Sequence, residues 1–309
     1  MGNDRQEVWR MNRCRLWARA LRLQYLPASF LPVLLGATFA RQAGPVSLFR
    51  LSLVLGGVFC YHAGANLVND LYDVETDRLN RGATLLNGGS QVLAKGLLTL
   101  SQLRKAAFFS YLLGTAAALG LALAGGGWGV LLYALAGLGC GYFYSIPPLR
   151  LAATGLGELV LGLAFGPLLV LGTVTALTGA FFPGALLVSW PVGLFITAVI
   201  LINEIPDYES DRRTGKRTLA VRLGPEKSFR LLALLLTGAV FSLGVALLRL
   251  RVYPLFTGFL LLLPLAGWVW SAGRRRLKEG EKLFPACAGM ILLHLLNGVV
   301  LILAVWHGG

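Results

Sequence analysis

Between Ala106 and Leu149, and again between Leu159 and Ile202, the 309-residue sequence contains no charged side chain. Charged residues make up only 14% of the chain, where a soluble domain carries about a quarter, and 56% of residues are hydrophobic. Such runs exclude an ordinary soluble fold. They indicate an all-α polytopic membrane protein, because in lipid only helices and closed barrels satisfy their own backbone groups. Cysteine is also scarce: Cys14, Cys60, Cys140 and Cys287 stand alone, without a Cys-x-x-Cys pair, which excludes a zinc ribbon or a disulfide frame. The three histidines, His62, His294 and His307, are scattered and read as non-ligands. No short apolar core followed by a cleavage site opens the chain, so no removable signal peptide is expected.

What is present is a succession of apolar segments. They fall at roughly Tyr25–Ala40, Leu51–Val68, Ala106–Ala124, Gly129–Tyr144, Leu156–Leu177, Phe182–Ile202, Leu231–Leu248, Pro254–Trp270 and Pro285–Trp306. This predicts about nine transmembrane helices, in one membrane-embedded domain spanning residues 1–309. Residues 1–24 form a basic lead (Arg5, Arg10, Arg13, Arg15, Arg19 and Arg22, with Trp9 and Trp17). It reads either as an amphipathic segment lying on anionic headgroups or as plain positive-inside flanking. The net charge of +14 would point to nucleic acid in a soluble protein. Here topology accounts for it, and no nucleic-acid partner is expected. With the N-terminus inside, 24 of the 28 basic residues lie on the inner side, leaving Arg41, Arg50, Arg249 and Arg251 outside. The positive-inside rule therefore predicts a cytoplasmic N-terminus in the cell membrane and an external C-terminus.

Acidic residues number only fourteen, yet eight of them crowd into two windows, 66–77 and 203–211. In the first, read as continuous helix, Asn66, Asp70, Asp73 and Asp77 share one narrow stripe. The second repeats the register with Asn203, Asp207 and Asp211, 137 residues further on. Each window closes an apolar span, four helices apart, which makes them matching parts of two pseudo-repeats facing a central cavity. Like charges so placed need a cation. Mg²⁺ takes carboxylate oxygens and shares them with substrate phosphates. Interleaved Arg78, Arg81, Lys95, Lys216 and Arg217 could clamp the anion. Metal-bridged carboxylates with a basic clamp, opening into lipid, suit a diphosphate on a hydrophobic tail.

These residues resemble the UbiA superfamily of membrane prenyltransferases along nearly the whole chain. The first motif matches the family's Asn-xxx-Asp-xx-Asp-xxx-Asp pattern. The second matches through Asn203, Asp207 and Asp211, followed by Gly215-Lys216-Arg217-Thr218-Leu219-Ala220-Val221-Arg222-Leu223-Gly224. The resemblance implies a nine-helix bundle with a laterally open cavity. It also implies Mg²⁺-dependent transfer of a polyprenyl group from polyprenyl diphosphate to a small-molecule acceptor. Gly88-Gly89-Ser90-Gln91-Val92, Gly96-Leu97-Leu98-Thr99, Gly155-Leu156-Gly157-Glu158 and Phe165-Gly166-Pro167 resemble the 1,4-dihydroxy-2-naphthoate branch of menaquinone biosynthesis. In that branch the ring carbon bearing the carboxylate is prenylated with loss of CO₂.

By this resemblance Asp70, Asp73, Asp207 and Asp211 are the metal ligands and catalytic carboxylates, with Asp77 in support. Asn66 and Asn203 orient carboxylates or touch phosphate. Arg81, Lys95, Lys216, Arg217 and Arg150 join the substrate-binding set. Tyr144 closes the cavity or stabilises a cation, or else belongs to the interfacial aromatic belt. Glu158 either contacts substrate or sits at a helix N-terminus favoured by the dipole. Other acceptors (4-hydroxybenzoate, homogentisate, a chlorin, haem or a lipid) and, from another class, a secondary transporter remain as alternatives. Chain length of the prenyl group and oligomeric state are not legible.

Overall fold

A computed structural model describes residues 12–80 and 82–308 of the chain. The first described helix, α1 (Arg13–Ala20), is capped by Asn12, whose side chain accepts from the Arg15 N–H at 2.9 Å. There follow α2 (Leu26–Ala40), α3 (Leu48–Tyr72), the short α4 (Val74–Leu79), α5 (Leu100–Leu121) and α6 (Gly129–Ser145). Next, α7 (Gly157–Leu163) runs through a widened turn at Ala164–Leu168 into α8 (Leu169–Thr178), and α9 (Gly184–Glu204) comes after it. Two short helices, α10 (Tyr208–Arg213) and α11 (Leu219–Leu223), precede α12 (Pro225–Arg249), α13 (Phe256–Lys278) and α14 (Phe284–Gly308). Every regular element among the described residues is helical.

With α7 and α8 counted as one span, eight helical segments among the described residues are long and apolar enough to cross a membrane. The 17-residue α6 is the ninth, at the short end of the roughly 17–25 residues that a span needs. The chain thus carries the all-α, roughly nine-helix bundle expected of it. Starts and stops follow local chemistry. Thr99 and Gln102 form a reciprocal capping box at α5, Ser47 caps α3, and Pro225 opens α12, where its missing N–H costs nothing. Phe108, Leu112, Leu132, Leu234, Phe241 and Leu261 point outward, as a surface bathed in lipid requires.

The bundle closes on itself. α2 packs against α3, α8 and α14; α3 lies along α5 and α6; α9 lies along α7, α12 and α14. A close backbone approach joins α9 to the α7–α8 span. A Cβ on Gly166 would lie 2.7 Å from Gly193 Cα and 2.8 Å from the Ser189 carbonyl oxygen. Both obstacles bear on backbone, so neither can swing aside. Gly166→Ala is therefore expected to destabilise the detergent-solubilised protein by about 1–3 kcal/mol, read as a lowered unfolding temperature. An unchanged melting curve would mean that the two spans are not held at this distance.

The described part of the basic lead packs against the bundle. Leu16, Trp17 and Leu21 pack on Val68, Val92, Leu98 and Leu103, and Arg19 Nε donates to the Ser90 carbonyl at 2.7 Å. These apolar side chains are partly buried, while Arg13 and Arg15 stay exposed. Arg5, Trp9 and Arg10 lie outside the described residues.

Candidate functional site

The first acidic window is not one continuous helix. α3 stops at Tyr72, Asp73 takes the cap position (φ −100°, ψ 8°), and α4 restarts at Val74. Asn66, Asn69, Asp73, Thr76, Asp77 and Asn80 line a central cavity, whereas Asp70 does not. Asp70 is buried behind the wall, where it accepts from Arg22 Nη2 at 2.5 Å and from the Ser90 hydroxyl. Arg22 also donates to Asn69 Oδ1 at 2.8 Å. Its backbone is left-handed (φ 50°, ψ 50°), a conformation that non-glycine residues hold only where the surroundings enforce it. Asp70 therefore stands as the partner of a buried cation, on the flank of the cavity.

In the second window α9 ends at Glu204, and Pro206 turns the chain through Ile205–Asp207 into α10. Proline has no N–H to offer the Ile202 carbonyl four residues earlier. The Cys287 thiol donates there instead, Sγ to oxygen 3.6 Å. Asn203, Glu204, Asp207 and Asp211 all line the cavity. The two windows meet: α4 packs beside α10, and the hydroxyls of Thr76 and Thr214 are 2.8 Å apart.

The connection over residues 80–98 acts as a strap across both windows. Asp207 accepts from Asn80 Nδ2 and Asn87 Nδ2, each at 2.7 Å, and from the Gly88 N–H at 2.9 Å. Gly89 has φ +69°, and a Cβ there would collide with the Asp77 carboxylate, so only glycine lets the strap lie so close. Gln91 Nε2 holds the fold of the strap by donating to the Asp77 and Gly88 carbonyls.

Lys216 bridges the two windows, 2.7 Å from Asp73 Oδ2 and 3.7 Å from Asp211 Oδ1. Burial works against its charge, but Asp73 and Asp211 outweigh that and hold the ammonium well above the ordinary lysine range. Burial pushes the Asp77 carboxyl up to about 8; Arg22 and Lys216 oppose the shift, and Asp70 and Asp73 reinforce it. Six carboxylates (Asp70, Asp73, Asp77, Glu204, Asp207, Asp211) gather here around two cations, Arg22 and Lys216. Oxygens of Asn203 (Oδ1) and Glu204 (Oε2) are buried without a partner. Among the described residues no three acidic, His or Cys side chains converge into a ready-made cage. The carboxylate oxygens that line the cavity are the hard donors that Mg²⁺ takes, its shell being completed by water and substrate phosphate.

Other expected residues separate. Tyr144 lines the cavity, its ring against Gly157. Lys95, Arg150 and Arg217 are exposed and do not line it; their backbones place them on outer loops. Glu158 also stays outside the cavity. It is buried, and its Oε1 accepts from the Leu219 N–H at 2.7 Å, so it caps α11 across space, not its own helix. Arg81 lies outside the described residues.

From the acidic end the cavity, of ≈ 410 Å³, continues between helices to Leu53 and Val54 of α3, Leu121 of α5 and Val130 of α6. Leu53 precedes Asp73 by twenty residues, about 30 Å of helix at 1.5 Å per residue. The slot is therefore polar at one end, apolar for the rest and as long as a membrane is thick. Arg22, Asn69, Asn80 and Asn87 belong to its polar end and escaped the sequence reading, as did His62 on its wall. For His62 and Asn69 a signal exists: they stand four residues before and three after Asn66, on the same helical face.

Comparison with known proteins agrees with this architecture. The model of the UbiA prenyltransferase family matches residues 29–304. The 1,4-dihydroxy-2-naphthoate octaprenyltransferase of Bacillus subtilis is 32% identical over 221 residues, covering 71% of this chain and 68% of that protein. The chloroplastic 2-carboxy-1,4-naphthoquinone phytyltransferase of Arabidopsis thaliana is 28% identical over 305 residues, 94% of this chain and 76% of that one. Among solved structures, a UbiA homolog from Archaeoglobus fulgidus bound to GPP and Mg²⁺ superposes with a TM-score of 0.67 at 21% identity, covering 93% of this chain and 99% of that one.

Proposed function

The chain belongs to the UbiA prenyltransferase family and is a membrane prenyltransferase that uses a prenyl diphosphate; from that premise we propose that its acceptor is 1,4-dihydroxy-2-naphthoate, prenylated with loss of CO₂ in menaquinone synthesis. The observation that carries the reading is the joining of a carboxylate-rich mouth to a long apolar slot, which matches a diphosphate on a hydrocarbon tail. The choice of acceptor is supported by the naphthoate and naphthoquinone substrates named for the Bacillus and Arabidopsis relatives.

Asp73, Asp77, Asp207 and Asp211 would hold Mg²⁺, which when bound neutralises the diphosphate and eases its departure as a Lewis acid. Lys216 sits where it can donate to the same departing oxygens. Asn66, Asn69 and Asn203 orient carboxylates and phosphate. Cleavage of the C1–O bond leaves its electron pair on the diphosphate, and the electron-poor prenyl carbon faces Tyr144, Phe165 and Tyr133 in a slot that keeps water away. The acceptor ring carbon bonds to prenyl C1, and the ring–carboxylate bond then breaks, its electrons restoring aromaticity as CO₂ leaves.

Purified enzyme with Mg²⁺, a polyprenyl diphosphate and separate aromatic acids tests the reading. Decarboxylated prenyl-1,4-naphthoquinol is the expected product; turnover of 4-hydroxybenzoate or homogentisate alone would assign another acceptor. The site is proposed to face the cytoplasm from the plasma membrane. A single cysteine at Lys95, in a background with the four native cysteines replaced, should react with an impermeant maleimide only from the cytoplasmic side. Labelling of intact cells from outside would reverse the orientation.

A further inference from the structure

We propose that His62 receives the aromatic acceptor, its Nε2–H donating a hydrogen bond to a ring oxygen of that substrate; the inference rests on the transfer reaction proposed above. His62 lies on α3 eleven residues before Asp73, about 16 Å deeper along the helix. A diphosphate tied to ions at the carboxylates, with Mg–oxygen bonds of about 2 Å, stays well short of that depth. The ring is held from two sides. Ser29 of α2 hydrogen-bonds Nδ1, and Phe165, in the turn between α7 and α8, packs edge-on with ring centroids 5.9 Å apart.

Among the described residues the Ser29 hydroxyl has no other hydrogen-bond partner. We assign the tautomer in which that hydroxyl donates to Nδ1 and the ring proton sits on Nε2, the arrangement that leaves the Ser29 proton paired. Among the described residues Nε2 has no protein partner, and His62 lines the cavity. Arg22 Nε, also on that wall, is buried without a partner. An N–H donor in an apolar slot loses free energy unless something accepts from it. The prenyl tail has no acceptor atom and the diphosphate stays at the mouth. An oxygenated aromatic ring is the remaining substrate, and its oxygen gains negative charge as the ring carbon attacks. A fixed donor aimed there favours the transition state and selects acceptors that carry an oxygen at that position.

The test compares His62→Leu, His62→Gln, His62→Asn and Ser29→Ala in the full-length enzyme with Mg²⁺. The glutamine amide nitrogen reaches the position of Nε2; the asparagine amide reaches only that of Nδ1. His62→Leu and His62→Asn should raise the acceptor KM about tenfold or more, with the prenyl diphosphate KM unchanged. His62→Gln should return it to within about threefold of wild type, and Ser29→Ala should cost a similar small factor. An acceptor KM that stays flat across the series, or a glutamine variant no better than asparagine, overturns the proposal. Should the leucine variant fail to bind prenyl diphosphate, and so fail to fold, the glutamine–asparagine pair decides alone. If wild type prenylates an aromatic other than the naphthoate, that acceptor is titrated and only the naphthoate assignment falls. No turnover with any aromatic would defeat the reaction itself.

Discussion

Asp207→Ala is expected to lower prenyl transfer by roughly a thousandfold or more, the scale of losing a charged group that acts on a developing anion. Asp73→Ala should match it, since Asp73 lines the same mouth and shares Lys216 with Asp211. Chelation with EDTA should silence the wild-type enzyme and added Mg²⁺ should restore it. The measurement is product formed per enzyme at saturating substrates, alongside a melting curve to show that the bundle persists. Because Asp207→Ala strands the donors Asn80, Asn87 and the Gly88 N–H, Asp207→Asn is the control that keeps the shape and removes the charge. Activity above about a hundredth of wild type in the asparagine variant would take Asp207 out of the ion site.

Asp70→Ala should act in a different way. Its carboxylate is 2% exposed and is paired with an Arg22 guanidinium that is 16% exposed. Removing one partner of such a pair leaves a buried charge uncompensated, at a cost of about 3–5 kcal/mol. The expected result is a large fall in unfolding temperature, with activity lost in step with folding. Replacing both residues by apolar ones of similar size, as in the double variant R22M/D70L, should recover much of the stability, because no charge is then stranded. A single variant that melts like wild type while losing turnover would return Asp70 to the metal ligands.

The membrane fold, both acidic windows and the outlines of the nine spans were legible because each rests on local pattern: apolar runs, an Asn-xxx-Asp register and flanking charge. The departures arose where contacts remote in sequence decide. Asp70 keeps the register of its window, but Arg22, 48 residues away, claims it. Along α3 to its cap the cavity-facing side runs through Asn66, Asn69 and Asp73, which leaves Asp70 on the neighbouring side, and the restart at Val74 carries the lining on to Asn80. Lys95 and Arg217 resemble phosphate ligands in linear order, yet the turns of their loops carry them outward. Asn87 and Gly88 could not be assigned to Asp207 from sequence, since no spacing rule links a loop after one window to a carboxylate in the other. His62 escapes a reading that weighs histidines only as metal ligands and does not follow the register of Asn66 back along α3.

The strap ties the first acidic window to the second. A loop that follows the first window supplies the three donors found on Asp207 of the second, and Ser90 from the same loop serves Asp70 of the first. Neither window's hydrogen bonding is complete without the other. Severed from its sibling, the later half would lose those three donors and keep only the charge of Lys216 beside Asp207, so the two windows are built to assemble together.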